Sequence, residues 1–199
     1  MTRIGILALQ GDVAEHFAML GKAGANPRLV KQAAQLAEVD GLIIPGGEST
    51  TIGKLLRRFE MLEPLRARIA SGFPVYGTCA GMILLANEIE DSALDQPSIG
   101  GMDITVRRNA FGRQRESFET DLEVPALGQS LLHAVFIRAP IATRIGPKVE
   151  ALASLPDGRI VAARQGNIVV SSFHPELTQD DRMHRYFVQV AVGAAAPVG

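Results

Sequence analysis

The sequence contains no tryptophan, a single cysteine and few aromatic residues, which make up 5% of its 199 positions. One cysteine excludes a disulfide within the chain, and nothing in the composition argues for an oxidising compartment. No run approaches the ~18 consecutive apolar residues that a transmembrane helix requires. The first residues show no long apolar segment followed by a cleavage site, so no signal peptide is expected. These absences favour a soluble, cytoplasmic protein.

Positive and negative charges are nearly balanced: the chain has 20 Lys and Arg and 21 Asp and Glu, and its formal net charge is −1. A net charge this small gives no reason to expect nucleic acid or an anionic membrane as a partner. Hydrophobic residues make up 47% of the chain, which at this length suits one domain with its own core. We expect a single domain over residues 1–192 and a flexible tail of small residues over 193–199.

Short apolar runs alternate with amphipathic stretches in the first half, as is typical of a parallel sheet covered by helices. Strands are predicted there at residues 4–9, 28–31, 41–45 and 73–76. The second half predicts strands at residues 104–107, 134–138, 160–163 and 168–172, separated by turn signals, and a final helix at 180–192. The predicted fold is therefore α/β, with a mostly parallel sheet and antiparallel additions in the second half.

Cys79 lies on a predicted strand-to-helix turn, within the sequence GTCAG at residues 77–81. Glycines two residues before and two after it give the spacing of a nucleophile elbow, with cysteine in place of serine. The start of a helix favours the thiolate and presents N–H groups to an oxyanion, so this position suits attack on a carbonyl. A buried, inert thiol is the alternative, because most lone cysteines are of that kind.

A nucleophilic thiol needs a base, and the chain offers four histidines. His16 and His184 fall in helical patterns and are expected to be surface or packing residues. His133 precedes a predicted strand and has no obvious partner. His174 follows a strand and begins the sequence His-Pro-Glu, in which Glu176 is placed to fix the imidazole tautomer. We predict His174 as the base, with a turn histidine beside a solvated glutamate as the alternative.

The sequence PGGEST at residues 45–50 follows the third predicted strand. A glycine pair there leaves a backbone N–H for an oxyanion, and Ser49 or Thr50 is expected to cap the next helix. A phosphate loop is disfavoured, because five residues instead of four separate the glycines and the following lysine precedes leucine. A plain turn with a cap explains Gly47 and Ser49 but leaves Glu48 unexplained.

These motifs together resemble the class I glutamine amidotransferases, which carry a Cys-His-Glu triad on a doubly wound α/β sheet with helices on both faces. Six segments, spread from the first strand to the last helix, resemble the glutaminase subunits of pyridoxal 5′-phosphate synthase. They are LALQG at residues 7–11, PGGEST at 45–50, GTCAG at 77–81, RNAFGRQ at 108–114, FIRAP at 136–140 and FHPE at 173–176. Their combination is far more specific than any one of them.

The resemblance implies a role for each matching position. Cys79 would be the nucleophile, His174 the base and Glu176 its orienter. The backbone N–H groups of Gly47 and Ala80 would form the oxyanion hole. The residues that would hold L-glutamine are Gly47, Glu48, Ser49, Arg108, Ile137 and Arg138. Gln10 would lie near the partner interface and take part in activation, and neither a cofactor nor a metal is implied.

The resemblance also implies a partner, a barrel-shaped and oligomeric synthase that uses the released ammonia to make pyridoxal 5′-phosphate, vitamin B6. From the residues alone, three alternatives stay open: another thiol hydrolase such as a peptidase, an inactive binding module, and a phosphate-loop nucleotide binder.

A basic stretch contains Arg107, Arg108, Arg113 and Arg115. Acidic residues follow it closely and no nucleic-acid motif accompanies it, so we expect a solvated face with one substrate-binding arginine. Arg108 suits that role, because a guanidinium grips an α-carboxylate through two parallel hydrogen bonds.

Overall fold

The computed structural model describes residues 1–90, 96–110 and 117–193. Its helices are α1 (Val13–Lys22), α2 (Ser49–Arg58), α3 (Leu62–Ala70), α4 (Ala80–Leu85) and α5 (Arg182–Ala191). Its strands are β1 (Arg3–Leu7), β2 (Asn26–Val30), β3 (Gly41–Ile44), β4 (Val75–Thr78), β5 (Ala86–Glu90), β6 (Met102–Arg107), β7 (Ser117–Leu122), β8 (Leu132–Ile137), β9 (Ile141–Ile145), β10 (Glu150–Ser154), β11 (Ile160–Gln165) and β12 (Ile168–Ser171). Short 3-10 helices cover Ala33–Glu38, Pro125–Leu127 and Pro175–Leu177.

Three predicted features lie wholly or partly outside the described residues. They are the end of the RNAFGRQ segment from residue 111, Arg113 with Arg115, and the tail from residue 194. Within the described part of the chain, no helix is both long and apolar enough to cross a membrane.

Ten strands form one mixed sheet in the order β2-β1-β3-β4-β12-β11-β9-β6-β5, with β10 paired to β11. The five strands from β2 to β12 in this order run parallel. Antiparallel pairs then join β12 to β11, β11 to β9 and β10, and β9 to β6. The predicted parallel sheet with antiparallel additions in the second half is confirmed.

The strand predicted at residues 134–138 does not extend this sheet. It is β8, which pairs with β7 in a separate two-stranded antiparallel ribbon. The rings of Phe118 and Phe136 stack across the ribbon with centroids 4.5 Å apart, and Phe136 meets Phe173 edge-on at 5.7 Å. The ribbon therefore packs on a face of the sheet. The alternating pattern of its residues does not determine whether a strand extends the main sheet or forms a separate ribbon.

Alternate residues of the central strands point into two separate hydrophobic clusters. Leu42 and Ile44 pack with buried residues of α2, α3 and α4 in one cluster. Ile43 and Tyr76 pack with buried residues of α1, α5 and the ribbon in the other. Each buried aliphatic side chain of this size contributes roughly 1.5–3 kcal/mol, so both faces of the sheet require a cover. Helices on both faces complete the doubly wound arrangement.

Candidate active site

Cys79 directly follows β4, and His174 comes shortly after the end of β12. These two strands are parallel neighbours in the sheet. The register pairs Thr78 with Ser171, and the Cys79 N–H donates to the Ser171 carbonyl at 2.8 Å. Ligand sites of open α/β sheets lie at the carboxyl ends of the strands. The sheet therefore brings together two segments that are far apart in the sequence.

Cys79 occupies a strained turn with φ 47° and ψ −99°, a region that residues other than glycine rarely adopt. The turn leads at once into α4, whose first residue is Ala80. A Cβ at Gly77 would lie 2.5 Å from the Gly81 carbonyl carbon, and one at Gly81 would collide with the carbonyl oxygen of Ile44. The predicted elbow is confirmed, and both flanking glycines are required by close backbone approach.

The Cys79 thiol faces a cavity of about 400 Å³ and is 7% exposed. Its Sγ lies 3.9 Å from the Ile137 carbonyl oxygen. The predicted site residues that line the cavity are Gln10, Gly47, Glu48, Ser49, Cys79, Arg108, Ile137, Arg138 and His174. A larger cavity of about 680 Å³ near Arg66 and Lys148 contains neither a thiol nor a histidine, so the smaller one is the candidate site.

His174 Nδ1 lies 2.7 Å from Glu176 Oε1, and both side chains are buried. Burial lowers the pKa of His174, but hydrogen bonds to Asp12, Cys79 and Glu176 outweigh it and raise the pKa to about 12. An imidazolium at this position favours the thiolate form of Cys79. The alternative of a solvated glutamate is wrong, because Glu176 is 5% exposed.

Asp12 is a site residue that the sequence did not indicate. It stands at the N-cap position but makes no side-chain capping bond, and its Oδ2 lies 3.4 Å from His174 Nδ1. Asp12, His174 and Glu176 are the one potential metal-binding group among the described residues. Because the His174 nitrogen is hydrogen-bonded to Glu176, we interpret the group as an acid–base assembly and assign no metal.

The loop that contains Gly46 and Gly47 lies between the side chains of Gln10 and His174. Gln10 Oε1 accepts a hydrogen bond from the Glu48 N–H at 2.9 Å and would lie 2.6 Å from a Cβ at Gly47. Gly47 has φ +147°, and a Cβ at Gly46 would lie 2.5 Å from His174 Cε1. Only glycine fits at both positions, so Gln10 holds a loop that passes directly over the imidazole.

Glu48, not Ser49 or Thr50, caps α2. Its carboxylate accepts hydrogen bonds from the N–H groups of Thr50 at 3.0 Å and Thr51 at 2.7 Å. Burial raises the pKa of Glu48, but the bonds from Thr51 and Thr50 outweigh it and hold the pKa below its usual value. The expectation that a helix cap leaves Glu48 unexplained is therefore wrong.

Arg108 belongs to a polar chain along the cavity wall. Its Nη1 donates to Gln96 Oε1 at 2.5 Å, and Gln96 Nε2 donates to Ser49 Oγ at 3.2 Å. Gln96 belongs to no motif, so nothing in the sequence indicates its role. Arg107 instead bonds Glu90 at 2.7 Å on the surface, as expected for a solvated face beside one arginine of the site.

The other three histidines lie outside the cavity. His133 stands within β8 and is exposed, with Asp121 Oδ1 at 2.9 Å and Glu119 Oε2 at 2.8 Å, so the expectation that it lacks a partner is wrong. His16 and His184 are fully buried, and their ring nitrogens are 2.9 Å apart. They are not surface residues, and they pack through a polar contact.

Comparisons with known proteins agree with this geometry. The model of the SNO glutamine amidotransferase family matches residues 6–193. Pyridoxal 5′-phosphate synthase subunit PdxT of Frankia alni is 60% identical over 188 residues, which are 94% of each chain. The protein of the same name from Clavibacter sepedonicus is 58% identical over 191 residues, 96% of this chain and 91% of that one. A crystal structure of a glutamine amidotransferase has a TM-score of 0.89 and 49% identity, covering 95% of this chain and 98% of that chain.

Proposed function

Because the chain belongs to the SNO glutamine amidotransferase family, we propose that it hydrolyses L-glutamine to L-glutamate and ammonia for a pyridoxal 5′-phosphate synthase. The proposal rests on one observation. The side chains of Cys79, His174 and Glu176 lie close together at the carboxyl ends of β4 and β12. A thiol, an imidazole and a buried carboxylate in succession supply a nucleophile, a base and an orienter.

In the first half of the proposed reaction, His174 holds the proton of Cys79 and the thiolate attacks the side-chain amide carbon of glutamine. The carbonyl electrons move to oxygen, where the N–H groups of Gly47 and Ala80 stabilise the negative charge. Ala80 suits this role because the first N–H groups of a helix have no partner within it. His174 then protonates the departing nitrogen, so ammonia leaves and a glutamyl thioester remains on Cys79.

Water completes the reaction. Neutral His174 removes a proton from water while the water oxygen attacks the thioester carbon. Collapse of this second tetrahedral intermediate breaks the carbon–sulfur bond, releases glutamate and restores the thiolate beside the imidazolium. Glu176 accepts the hydrogen bond of His174 Nδ1 throughout, which leaves Nε2 to exchange protons with Cys79, ammonia and water.

The cavity lining supports L-glutamine as the substrate. We assign the substrate's α-carboxylate to Arg108, whose guanidinium is held in place by Gln96. The residues proposed to contact the rest of the amino acid are Gly47, Glu48, Ser49, Ile137 and Arg138.

The partner is proposed to be a barrel-shaped, oligomeric synthase that receives the ammonia. Gln10 is proposed to lie at this interface, because it lines the cavity and also bonds the loop that contains Gly47. A docked partner that displaces Gln10 would therefore move the proposed oxyanion hole.

The test measures glutamate release by the chain with and without its cognate synthase. Cys79→Ala is expected to lose activity by roughly a thousandfold or more, because no nucleophile remains. The variant should keep its circular dichroism spectrum and its binding to the synthase. His133→Gln, an exposed histidine outside the cavity, is the matched control and should keep full activity. Full activity of Cys79→Ala would refute the assignment.

A second measurement separates the three alternatives. A glutamine-like chloromethyl ketone should label the wild-type chain once, at Cys79, and leave Cys79→Ala unlabelled. A peptidase would instead cleave members of a peptide panel, and an inactive binding module would not be labelled. A phosphate-loop protein would release or absorb heat on titration with ATP, whereas the glutaminase should not.

A further inference from the structure

Behind Glu176, buried side chains connect the site to α1 and α5. His16 Nε2 lies 3.5 Å from Glu176 Oε2 and 3.1 Å from Thr78 Oγ1. His16 Nδ1 lies 2.9 Å from His184 Nε2. Both histidines are fully buried, and neither is among the residues that line the cavity. His16 therefore contacts the proposed triad, and His184 contacts His16, while neither lines the space for substrate.

We propose that His16 is a positioning residue that donates its Nε2–H to Glu176 and, oriented by His184, keeps that carboxylate charged and directed at His174. The inference rests on the proposed glutamine hydrolysis, because it assigns a supporting residue to the same site. His16 would act only through Glu176 and His174.

The first argument concerns the two oxygens of Glu176. Oε1 is bonded to His174, whereas Oε2 is buried and accepts no hydrogen bond from the residues that the structure describes. An ionised carboxylate only accepts hydrogen bonds, so Oε2 needs a donor. The nearby candidate is His16 Nε2, because a proton on that nitrogen lies between Thr78 Oγ1 at 3.1 Å and Glu176 Oε2 at 3.5 Å and can serve both oxygens. With the proton on Nδ1 instead, two lone pairs would face each other across 3.5 Å.

The second argument comes from the far end of the pair. His184 Nδ1 is buried and has no hydrogen-bond partner in the part of the chain that the structure describes. A buried N–H without an acceptor is costly, and a bare ring nitrogen costs less. The proton of His184 therefore belongs on Nε2, from which it donates to His16 Nδ1. This leaves the His16 proton on Nε2, the position that Glu176 also selects.

Both histidines must be neutral for this arrangement, and their buried surroundings favour the neutral form. Burial first, and then the charges of His184 and His174, hold the pKa of His16 well below its usual value. Burial lowers the pKa of His184 to about 4, although Asp181 opposes it. Each imidazole therefore carries one proton near neutral pH, and the N–H groups point in one direction, from α5 through α1 to the carboxylate.

The other groups that face Glu176 do not replace this donor. Burial raises the pKa of Glu176, the hydrogen bond from His174 opposes that rise, and Asp12 reinforces it by repulsion. Tyr76 stays neutral because burial raises its pKa, and its hydroxyl pairs with Ser171. Loss of the His16 donor therefore leaves a carboxylate that takes up a proton more readily.

The experiment compares His16→Leu with His16→Gln in the full chain bound to its cognate synthase. Leucine removes the donor, whereas the glutamine amide can place an N–H near the former Nε2. We expect His16→Leu to lower kcat for glutamine by about 10–100-fold, with KM changed less than about twofold. The acid limb of its kcat–pH profile should move to higher pH, because Glu176 must be ionised to orient His174. His16→Gln should recover most of kcat and return the limb toward the wild-type position.

Three outcomes would overturn the inference while wild-type activity leaves the proposed function intact. They are wild-type kcat and acid limb in His16→Leu, equal impairment of both variants, and a rise in KM that accounts for the whole loss. His133→Leu is the matched histidine control, and circular dichroism at each pH verifies that the variants are folded. An inactive wild-type complex would instead refute the proposed function, and the inference with it.

A measurement on the wild-type protein covers the case in which His16→Leu does not fold. Long-range nitrogen NMR of the imidazoles should show His16 and His184 neutral near pH 7, each with its proton on Nε2. A proton on Nδ1 of His16, or a charged His16, would overturn the inference.

Discussion

Gly46 stands where any side chain would meet the imidazole of His174. A Cβ there would lie 2.5 Å from His174 Cε1 and 2.7 Å from Asp12 Oδ2. We expect Gly46→Ala to displace the ring or the loop and to lower kcat for glutamine at least ~100-fold, because small misplacements of a base are that costly. Steady-state kinetics with the synthase present would measure the loss.

Gly21 provides the matched control for this substitution. It lies in α1, and a Cβ there would meet no atom of the described residues within 4 Å. Gly21→Ala should leave kcat unchanged and raise the free energy of unfolding by about 0.5–1 kcal/mol, because alanine restricts the unfolded chain. Equal kcat values for Gly46→Ala and Gly21→Ala would show that the close approach to His174 does not matter.

Some residues of the candidate site are indicated by short sequence motifs, whereas others reach the site only through packing of distant segments. Cys79, His174 and Glu176 stand in short motifs whose spacing has a chemical reason, so the sequence was sufficient to single them out. Their catalytic roles stay predictions. Asp12 and His16 were missed as site residues because nothing near them in the sequence refers to His174 or Glu176. The packing of α1 against the 3-10 helix Pro175–Leu177 brings them there.

At the scale of one element, α2 depends on the carboxylate of Glu48. Removing the N-cap in Glu48→Ala leaves the N–H groups of Thr50 and Thr51 without their acceptor. We expect the free energy of unfolding to fall by about 1 kcal/mol, measured by urea denaturation. The same variant should raise KM for glutamine, because Glu48 is proposed to contact the substrate.

Glu38 is the matched control for the cap, since it is an exposed glutamate in a 3-10 helix. Glu38→Ala should change the free energy of unfolding by less than about 0.5 kcal/mol. If Glu48→Ala were no less stable than Glu38→Ala, the carboxylate would have no role in holding the start of α2.

The elements also show which strands a sequence pattern reveals. The buried parallel strands β3 and β12 are continuous apolar runs, and both were predicted nearly to the residue. In contrast, β5, β7, β9 and β10 were not predicted. The sequence of β10, EALAS, favours a helix by its local preferences, and its pairing with β11 overrides them. The strands β5, β7 and β9 carry polar or charged residues, so their apolar pattern is weak.

At the scale of the whole molecule, the buried histidines make stability depend on pH. Burial lowers the pKa of His184 to about 4, and that of His16 is also lowered. In the unfolded chain these groups titrate near 6.5, so the unfolded state binds more protons between about pH 4 and 6.5. Stability is therefore fully present above about pH 6.5 and is lost as the pH falls through that window.

Urea denaturation at pH 6.5 and pH 5.0 would measure this loss, which should be on the order of 1–2 kcal/mol for His184, with a further loss from His16. This range avoids the effect of His174, whose raised pKa reduces stability only as the pH rises above about 6.5. His184→Gln should show a smaller decline, because it removes one titrating group. An equal decline in the wild-type chain and in this variant would contradict the prediction.

The order of the strands in the sheet has a consequence for how the chain is made. Among the strands that the structure describes, β12 is synthesised last, yet it lies in the middle of the sheet, between β4 and β11. A nascent chain that has already produced Cys79 still has an open edge at β4 and still lacks His174 and Glu176. During translation the thiol is therefore present without its imidazole. The insertion of the final strand both closes the sheet and unites the two halves of the site.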